Sequence, residues 1–369
     1  MKNLKSTLFL FALLFICPAS IVYAKGGLVS AVTIREADTL MQEFFEQSNT
    51  PGLSVSVGWN GNLVWSEGYG YADLEQRVPI TAGLSKFRIG SVIKPMTADA
   101  VAQLLEDGKL DLDAPIQTYV PDFPEKQAPI SLRQLLGHLS GIRHYQGDEF
   151  MNHKYYETVA SGLVIFADDP LLTAPGEAYN YSSYGFNLIS AAIENVSGQD
   201  YLGYMEEHIF EPAGMTSTVP DHLGQIIAGR GRYYGINDGQ FFNQPEVDNS
   251  YKWASGGYVG TSDDLVRYGL AQLSGSLTSK DSQTIFWTEQ QTNAGELTGY
   301  GLGWRVSTDE RGQRWVGHDG GSVGGSTQFY FMPESGLVIA MISNLSGFDY
   351  ADILLRLSDV FLNSAHLER

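Results

Sequence analysis

Two stretches near the ends of the chain carry the pattern of paired strands. Leu53 to Trp59 and Leu63 to Tyr69 are rich in aliphatic and aromatic residues and flank Asn60-Gly61, the dipeptide best suited to the two left-handed positions of a tight hairpin turn. Ser326 to Met332 and Leu337 to Ser343 repeat the arrangement around Pro333-Glu334-Ser335-Gly336. Ala37, Leu40, Met41, Phe44 and Phe45 recur instead at helical spacing behind Thr33-Ile34-Arg35-Glu36, which reads as a capping box, and they predict an N-terminal helix. A C-terminal helix is expected from Asp349 to about Leu362.

The middle of the chain follows a different period. Ala98, Val101, Leu104 and Leu105 place one apolar face on a helix from Val92 to Leu105, with Pro95 tolerated in its first turn and Gly108 closing it. A second amphipathic helix is expected from Gly185 to Val196. Strands at both ends and helices between them predict an α/β (α+β) architecture, an antiparallel sheet flanked by the terminal helices with a helical lobe inserted between its first and last strands. No linker rich in Pro, Ser or Gly divides the chain, so residues 25–369 read as one domain with a cleft between sheet and lobe.

Residues 1–24 are set apart from that domain. Lys2 and Lys5 precede an apolar run from Leu8 to Ile16, and Val22-Tyr23-Ala24 offers small residues at a cleavage site. The run is shorter than the ~20 apolar residues a span requires, so it reads as a secretory signal cleaved after Ala24, with the mature protein periplasmic or secreted and without a membrane span. The single cysteine, Cys17, lies inside it, and the mature chain has neither disulfides nor thiolate metal ligands. Removing Lys2 and Lys5 takes the formal charge from −19 to −21. Against 42 acidic residues the 23 Lys and Arg form no basic face, which excludes nucleic acid as a partner.

Candidate chemistry starts at Ser91-Val92-Ile93-Lys94. A serine at a helix N-terminus meets free N–H groups and the positive end of the dipole. A lysine one turn later lies beside it, and burial would lower its proton affinity until it can act as a base. Tyr181, in the loop before the second lobe helix, is a candidate proton-transfer group. Gly317-His318-Asp319-Gly320-Gly321 is the third segment, its glycines permitting close approach of a substrate, with the Gly321 N–H completing an oxyanion hole with that of Ser91 and His318 facing the same cleft. Gly320-Gly321-Ser322-Val323-Gly324 also fits a nucleophile elbow, but a strand rather than a helix is expected after it, and only His366 follows as a histidine. His138, His144 and Lys252 read as structural, and neither a metal nor an organic cofactor is called for.

In this order the three segments resemble the penicillin-recognising serine hydrolases, the family of class C β-lactamases, D-alanyl-D-alanine carboxypeptidases and related esterases. Longer runs resemble its mitochondrial branch in animals: Gly108-Lys109-Leu110-Asp111-Leu112-Asp113, Tyr119 to Lys126, His138 to Tyr145 and Val247 to Ala254 followed by Gly256-Gly257. The likeness extends from roughly Phe44 to Asn344. It implies a β-lactamase/transpeptidase-like fold, Ser91 as nucleophile, Lys94 as base and Tyr181 as proton shuttle, with Ser183, His318, Gly320 and Gly321 binding substrate or oxyanion. Ser183 stands where the lactamases carry asparagine and His318 where they carry lysine. An imidazole is only partly charged near neutral pH, so efficient β-lactam hydrolysis is not expected. The expected substrate is a small peptide or amide, then an ester, then a lactam. An acylated binding protein without turnover, and a homo-oligomer or filament, are the alternatives.

Overall fold

The computed structural model describes residues 29–367, so the predicted signal segment and Cys17 lie outside the described residues. Both predicted hairpins are present and belong to one sheet. β1 (Gly52–Trp59) turns through Asn60 and Gly61 into β2 (Asn62–Asp73), with φ of 49° and 80° at the two turn residues. A short β3 (Val78–Pro79) edges β2, and β4 (Arg305–Thr308), β5 (Arg314–Ser322), β6 (Gly325–Met332) and β7 (Leu337–Ser343) follow as an antiparallel meander. Val55 of β1 lies opposite Met341 of β7, which gives the order β3-β2-β1-β7-β6-β5-β4. The first and last long strands therefore meet in mid-sheet, and the chain between β3 and β4 forms the insertion.

The longer helices are α1 (Ala31–Gln47), α2 (Ile93–Glu106), α3 (Ser183–Ser197), α4 (Ser262–Ser274) and α5 (Ile353–Leu367). Leu337, Ile339 and Met341 join Leu53, Val55 and Val57 in a cluster with Ala37 and Met41 of α1 and Leu357 and Phe361 of α5. Val338, Ala340 and Ile342 belong to the lobe core. β7 is covered on both faces, which is why its sequence is a continuous apolar run rather than an alternating one. On the lobe face β1 offers Ser54, Ser56 and Gly58. Ser54 and Ser56 hydroxyls meet Ser262 Oγ at 2.7 Å, and Ser56 also donates to Asp263 Oδ1 at 2.6 Å. A Cβ on Gly58 would meet Val266 at 2.6 Å, so the glycine lets α4 lie close against the sheet.

Two boundaries differ from the sequence pattern, and two small β elements are additional to it. The N-cap of α1 is Ser30, whose side chain accepts from the Thr33 N–H at 3.1 Å, so Thr33 lies inside the helix and the predicted capping box is not the start. α5 begins at Ile353 rather than Asp349, because Ala351 takes a left-handed φ of 45°. A small sheet of Phe87–Arg88, Tyr258–Gly260 and Val219–Pro220 and a hairpin of Tyr234–Asn237 with Gln240–Asn243 are additional to the expected elements. Among the described residues no helix is long and apolar enough to cross a membrane.

Candidate active site

Ser91 lies in a 3-10 turn, Gly90–Val92, that runs directly into α2. Lys94 follows in the first turn of α2, and its side chain is fully buried. Its Nζ lies 2.9 Å from Ser91 Oγ, 3.1 Å from Ser183 Oγ and 2.8 Å from the Ser255 carbonyl oxygen. Burial, reinforced by the charges of Lys252 and Arg305, holds its proton affinity well below the usual lysine range. A neutral amine has two N–H donors and one lone pair. With the donors on Ser255 and Ser183, the lone pair faces the Ser91 hydroxyl and can take its proton.

α3 brings the second group. Ser182 caps the helix, accepting from Gly185 N–H at 3.1 Å, and the capped turn fixes Tyr181 just outside it and Ser183 just inside. The Tyr181 ring centroid lies 4.9 Å from Lys94 Nζ. Burial raises the phenol above its ordinary range, and a hydrogen bond with Ser91 offsets part of the shift, so the group stays protonated. Behind Tyr181 its ring packs on His138, centroids 4.3 Å apart, and His138 Nδ1 accepts the Ser182 N–H at 3.1 Å.

β5 closes the third side. A Cβ on Gly320 would lie 2.0 Å from the Ile89 carbonyl oxygen, and one on Gly90, where φ is 55°, would lie 2.7 Å from the Gly321 oxygen. Only glycines allow these two backbones to touch. Gly321 faces open space and lines the same cavity as Ser91. His318 differs from expectation: it is 1% exposed and is absent from the cavity wall. Its Nδ1 donates to the Asp319 carbonyl at 2.5 Å and its Nε2 accepts from the Tyr300 hydroxyl at 2.8 Å. Burial, with Lys94 and Arg305 nearby, holds the ring uncharged rather than partly charged. Both nitrogens are engaged, so the imidazole does not reach a substrate in this arrangement.

The cavity has a volume of about 610 Å³ and is bounded by Ser91, Tyr181, Ser183 and Gly321, with Tyr145, Phe150, Lys252, Arg305 and Asp319 completing the wall. Burial pushes the Tyr145 phenol up to about 12 against hydrogen bonds with Ser183 and Ser255. His144 Nδ1 accepts the Ser183 N–H at 3.1 Å, and burial lowers the ring to about 4. Tyr145, His144 and Lys252 stood within the runs that carry the family likeness, which was the only signal for them; Arg305 had none. Ser322, the serine of the elbow-like motif, ends β5 just before the Val323-Gly324 turn into β6, with its hydroxyl buried and unpartnered. No helix follows it, and the elbow geometry is absent. Among the described residues no group of three or more acidic or histidine side chains stands together as a metal site.

An antiparallel sheet with a helical insertion, and a serine and buried lysine at their junction, define a penicillin-recognising serine hydrolase. Residues 37–359 match the family described as Beta-lactamase, and the chain belongs to that family. It is similar to the mitochondrial serine beta-lactamase-like protein LACTB of Bos taurus, 30% identical with 85% of this chain and 77% of that protein covered. A penicillin-binding protein of Bacillus subtilis is 26% identical over 84% of this chain and 71% of its own length. Among solved structures, the octameric penicillin-binding protein homologue from Pyrococcus abyssi aligns with a TM-score of 0.76 and 26% identity, covering 89% of this chain and 77% of that one.

Proposed function

We propose that the protein cleaves a small peptide or amide through an acyl-Ser91 intermediate. The observation that carries the reading is the 2.9 Å contact between Ser91 Oγ and a Lys94 amine whose proton affinity burial has lowered. Lys94 takes the Ser91 proton as Oγ bonds to the carbonyl carbon, and the Ser91 and Gly321 amides stabilise the oxyanion. Collapse breaks the C–N bond while the proton passes from Lys94 through the Tyr181 phenol to the leaving nitrogen. Water then attacks the acyl carbon while its proton passes to Lys94; collapse breaks the C–Oγ bond, Lys94 returns that proton to Ser91 Oγ, and the acid is released. An amine leaves only when protonated, and a phenol held protonated beside Ser91 supports amides ahead of esters. The uncharged, fully engaged His318 supports placing lactams last.

We also infer export with removal of residues 1–24, on the strength of Lys2, Lys5 and the Leu8 to Ile16 run; N-terminal sequencing of the exported protein tests it. Assembly into a homo-oligomer, which scattering of the purified protein measures, is a further proposal supported by the octameric Pyrococcus abyssi homologue.

The deciding experiment is steady-state hydrolysis of p-nitrophenyl esters, chromogenic aminoacyl and peptidyl amides and a chromogenic cephalosporin, wild type beside Ser91→Ala. The variant should lose about a thousandfold or more in kcat on every substrate turned over, at an unchanged thermal midpoint. Equal rates in the two proteins would remove Ser91 as nucleophile. One equivalent of product followed by arrest would replace turnover with an acylated binding protein.

A further inference from the structure

The basic side chains at and behind the cavity are not equally committed. Lys94 has three partners, and the His318 imidazole is engaged at both nitrogens. Arg305 faces Asp319 at 3.1 Å with its side chain 43% exposed, where water weakens any further attraction. Lys252 differs from all three. It is 2% exposed and lines the cavity, and its Nζ has no hydrogen bond or ion pair among the described residues. Its Nζ lies 4.4 Å from the Phe150 ring centroid, 5.3 Å from Tyr251 and 5.7 Å from Tyr145. Aromatic faces attract a cation but do not replace conventional acceptors, so its N–H donors remain to be satisfied from the cavity.

We propose that Lys252 anchors a carboxylate of the substrate, so that the preferred substrate is an amide or ester bearing a carboxylate a few atoms from the reacting carbonyl. This rests on the hydrolase reading above. Lys252 immediately precedes the short helix Trp253–Gly256, and the carbonyl of Ser255 one turn on holds Lys94. The anchor and the proposed base thus share one wall. A lone ammonium against Phe150 and Met151 matches one negative charge on an apolar stem; a phosphate would call for an Arg fork or several further donors. Burial and the charge of Arg88 lower the amine to about 7, and an arriving carboxylate would restore the proton that burial disfavours.

The test compares p-nitrophenyl hemiglutarate with p-nitrophenyl butyrate at pH 6.5, using wild type, Lys252→Met and Lys252→Arg. Wild type should favour the hemiglutarate in kcat/KM by about tenfold or more, the worth of one charged hydrogen bond. Lys252→Met should abolish the ratio and Lys252→Arg should keep part of it. A ratio near one in wild type, or one unchanged in Lys252→Met, overturns the proposal. A separate arm covers failure of the hydrolase reading itself: calorimetric titration of Ser91→Ala with glutarate and with neutral glutaramide. Tighter binding of glutarate, lost in Ser91→Ala/Lys252→Met, supports the anchor without any turnover. Equal affinity for the two probes overturns it.

Discussion

Where α1 and α5 cover the sheet, Leu53, Val55, Val57, Leu337, Ile339, Met341, Leu357 and Phe361 are all fully buried, and none carries a charged or hydrogen-bonding group. Across the same strands, the lobe side buries Arg88, Lys94, Asp99, His138, Asp221, Lys252 and His318 to 2% exposure or less. An apolar cluster stabilises whatever its precise partners. A buried ionisable group is costly unless its donors and acceptors are met. Arg88 shows the second condition: its Nε reaches Asp221 at 2.7 Å and its NH1 the Val323 carbonyl at 2.8 Å, tying the chain just before Ser91 to the turn after Gly321. One face supplies stability, and the other holds chemistry in place.

That division predicts opposite outcomes for two substitutions. Lys94→Met should lower kcat/KM by about a thousandfold or more, as expected when a nucleophile loses its base. Its thermal midpoint at pH 7 should not fall, because a methionine of similar volume removes an amine whose ionised form the fold disfavours. Met341→Ala should do the reverse, lowering stability by about 2–5 kcal/mol through the cavity it leaves while kcat holds. A large midpoint loss in Lys94→Met, or a kcat loss in Met341→Ala, would break the comparison.

A closer contrast lies between adjacent glycines. Gly320→Ala drives a methyl into the Ile89 carbonyl, so it should separate β5 from the Ser91 turn and cost about a hundredfold in kcat together with stability. Gly321→Ala meets no atom within 4 Å and should fold like wild type, its effect confined to KM. Melting curves with Michaelis kinetics separate the two, and similar behaviour of both would remove the argument that Gly320 sets the spacing.

The sequence was most legible where contacts are local. Asn60-Gly61 and the stripe on α1 state their hairpin and helix within a few residues, and the mid-sheet strands followed from them. The site was legible as far as Ser91, Tyr181, Ser183 and Gly321, which line one cavity, and Lys94, which lies buried behind Ser91. The rest depends on encounters that no local pattern encodes. Lys94 meets a carbonyl 161 residues away, and what engages His318 is Tyr300, on the segment before β4. Lys252 read as structural because the sequence shows neither the aromatic rings beside its amine nor the acceptors it lacks. Ser30, rather than Thr33, caps α1 because the helix starts before its apolar stripe does.

The pH dependence of stability separates the faces as well. Asp99, on α2 and bonded by Tyr268 and Gln272, is raised to about 8 chiefly by burial. The unfolded carboxyl releases its proton near 4, so this group's contribution falls as pH rises from about 4 to 8. Lys252, lowered to about 7, and Lys94, lowered well below the usual lysine range, act in the other direction. Unfolded lysines keep their protons to about pH 10.4, so the unfolded state binds more protons and the lysine contribution rises with pH, for Lys252 from about 7 to 10. Above that the buried phenols of Tyr258, Tyr268 and Tyr300, held protonated by burial while unfolded ones ionise, turn the curve down again. Denaturant titrations across this range should show a rise between pH 8 and 10 with a slope of at most about 1.4 kcal/mol per unit for each lysine. Lys252→Met should remove one lysine's share, and Asp99→Asn should remove the falling contribution between about pH 4 and 8, so that stability climbs more steeply with pH there. Met341→Ala should shift the whole profile down without changing its shape; a changed shape would mean that the apolar face, too, is coupled to the buried charges.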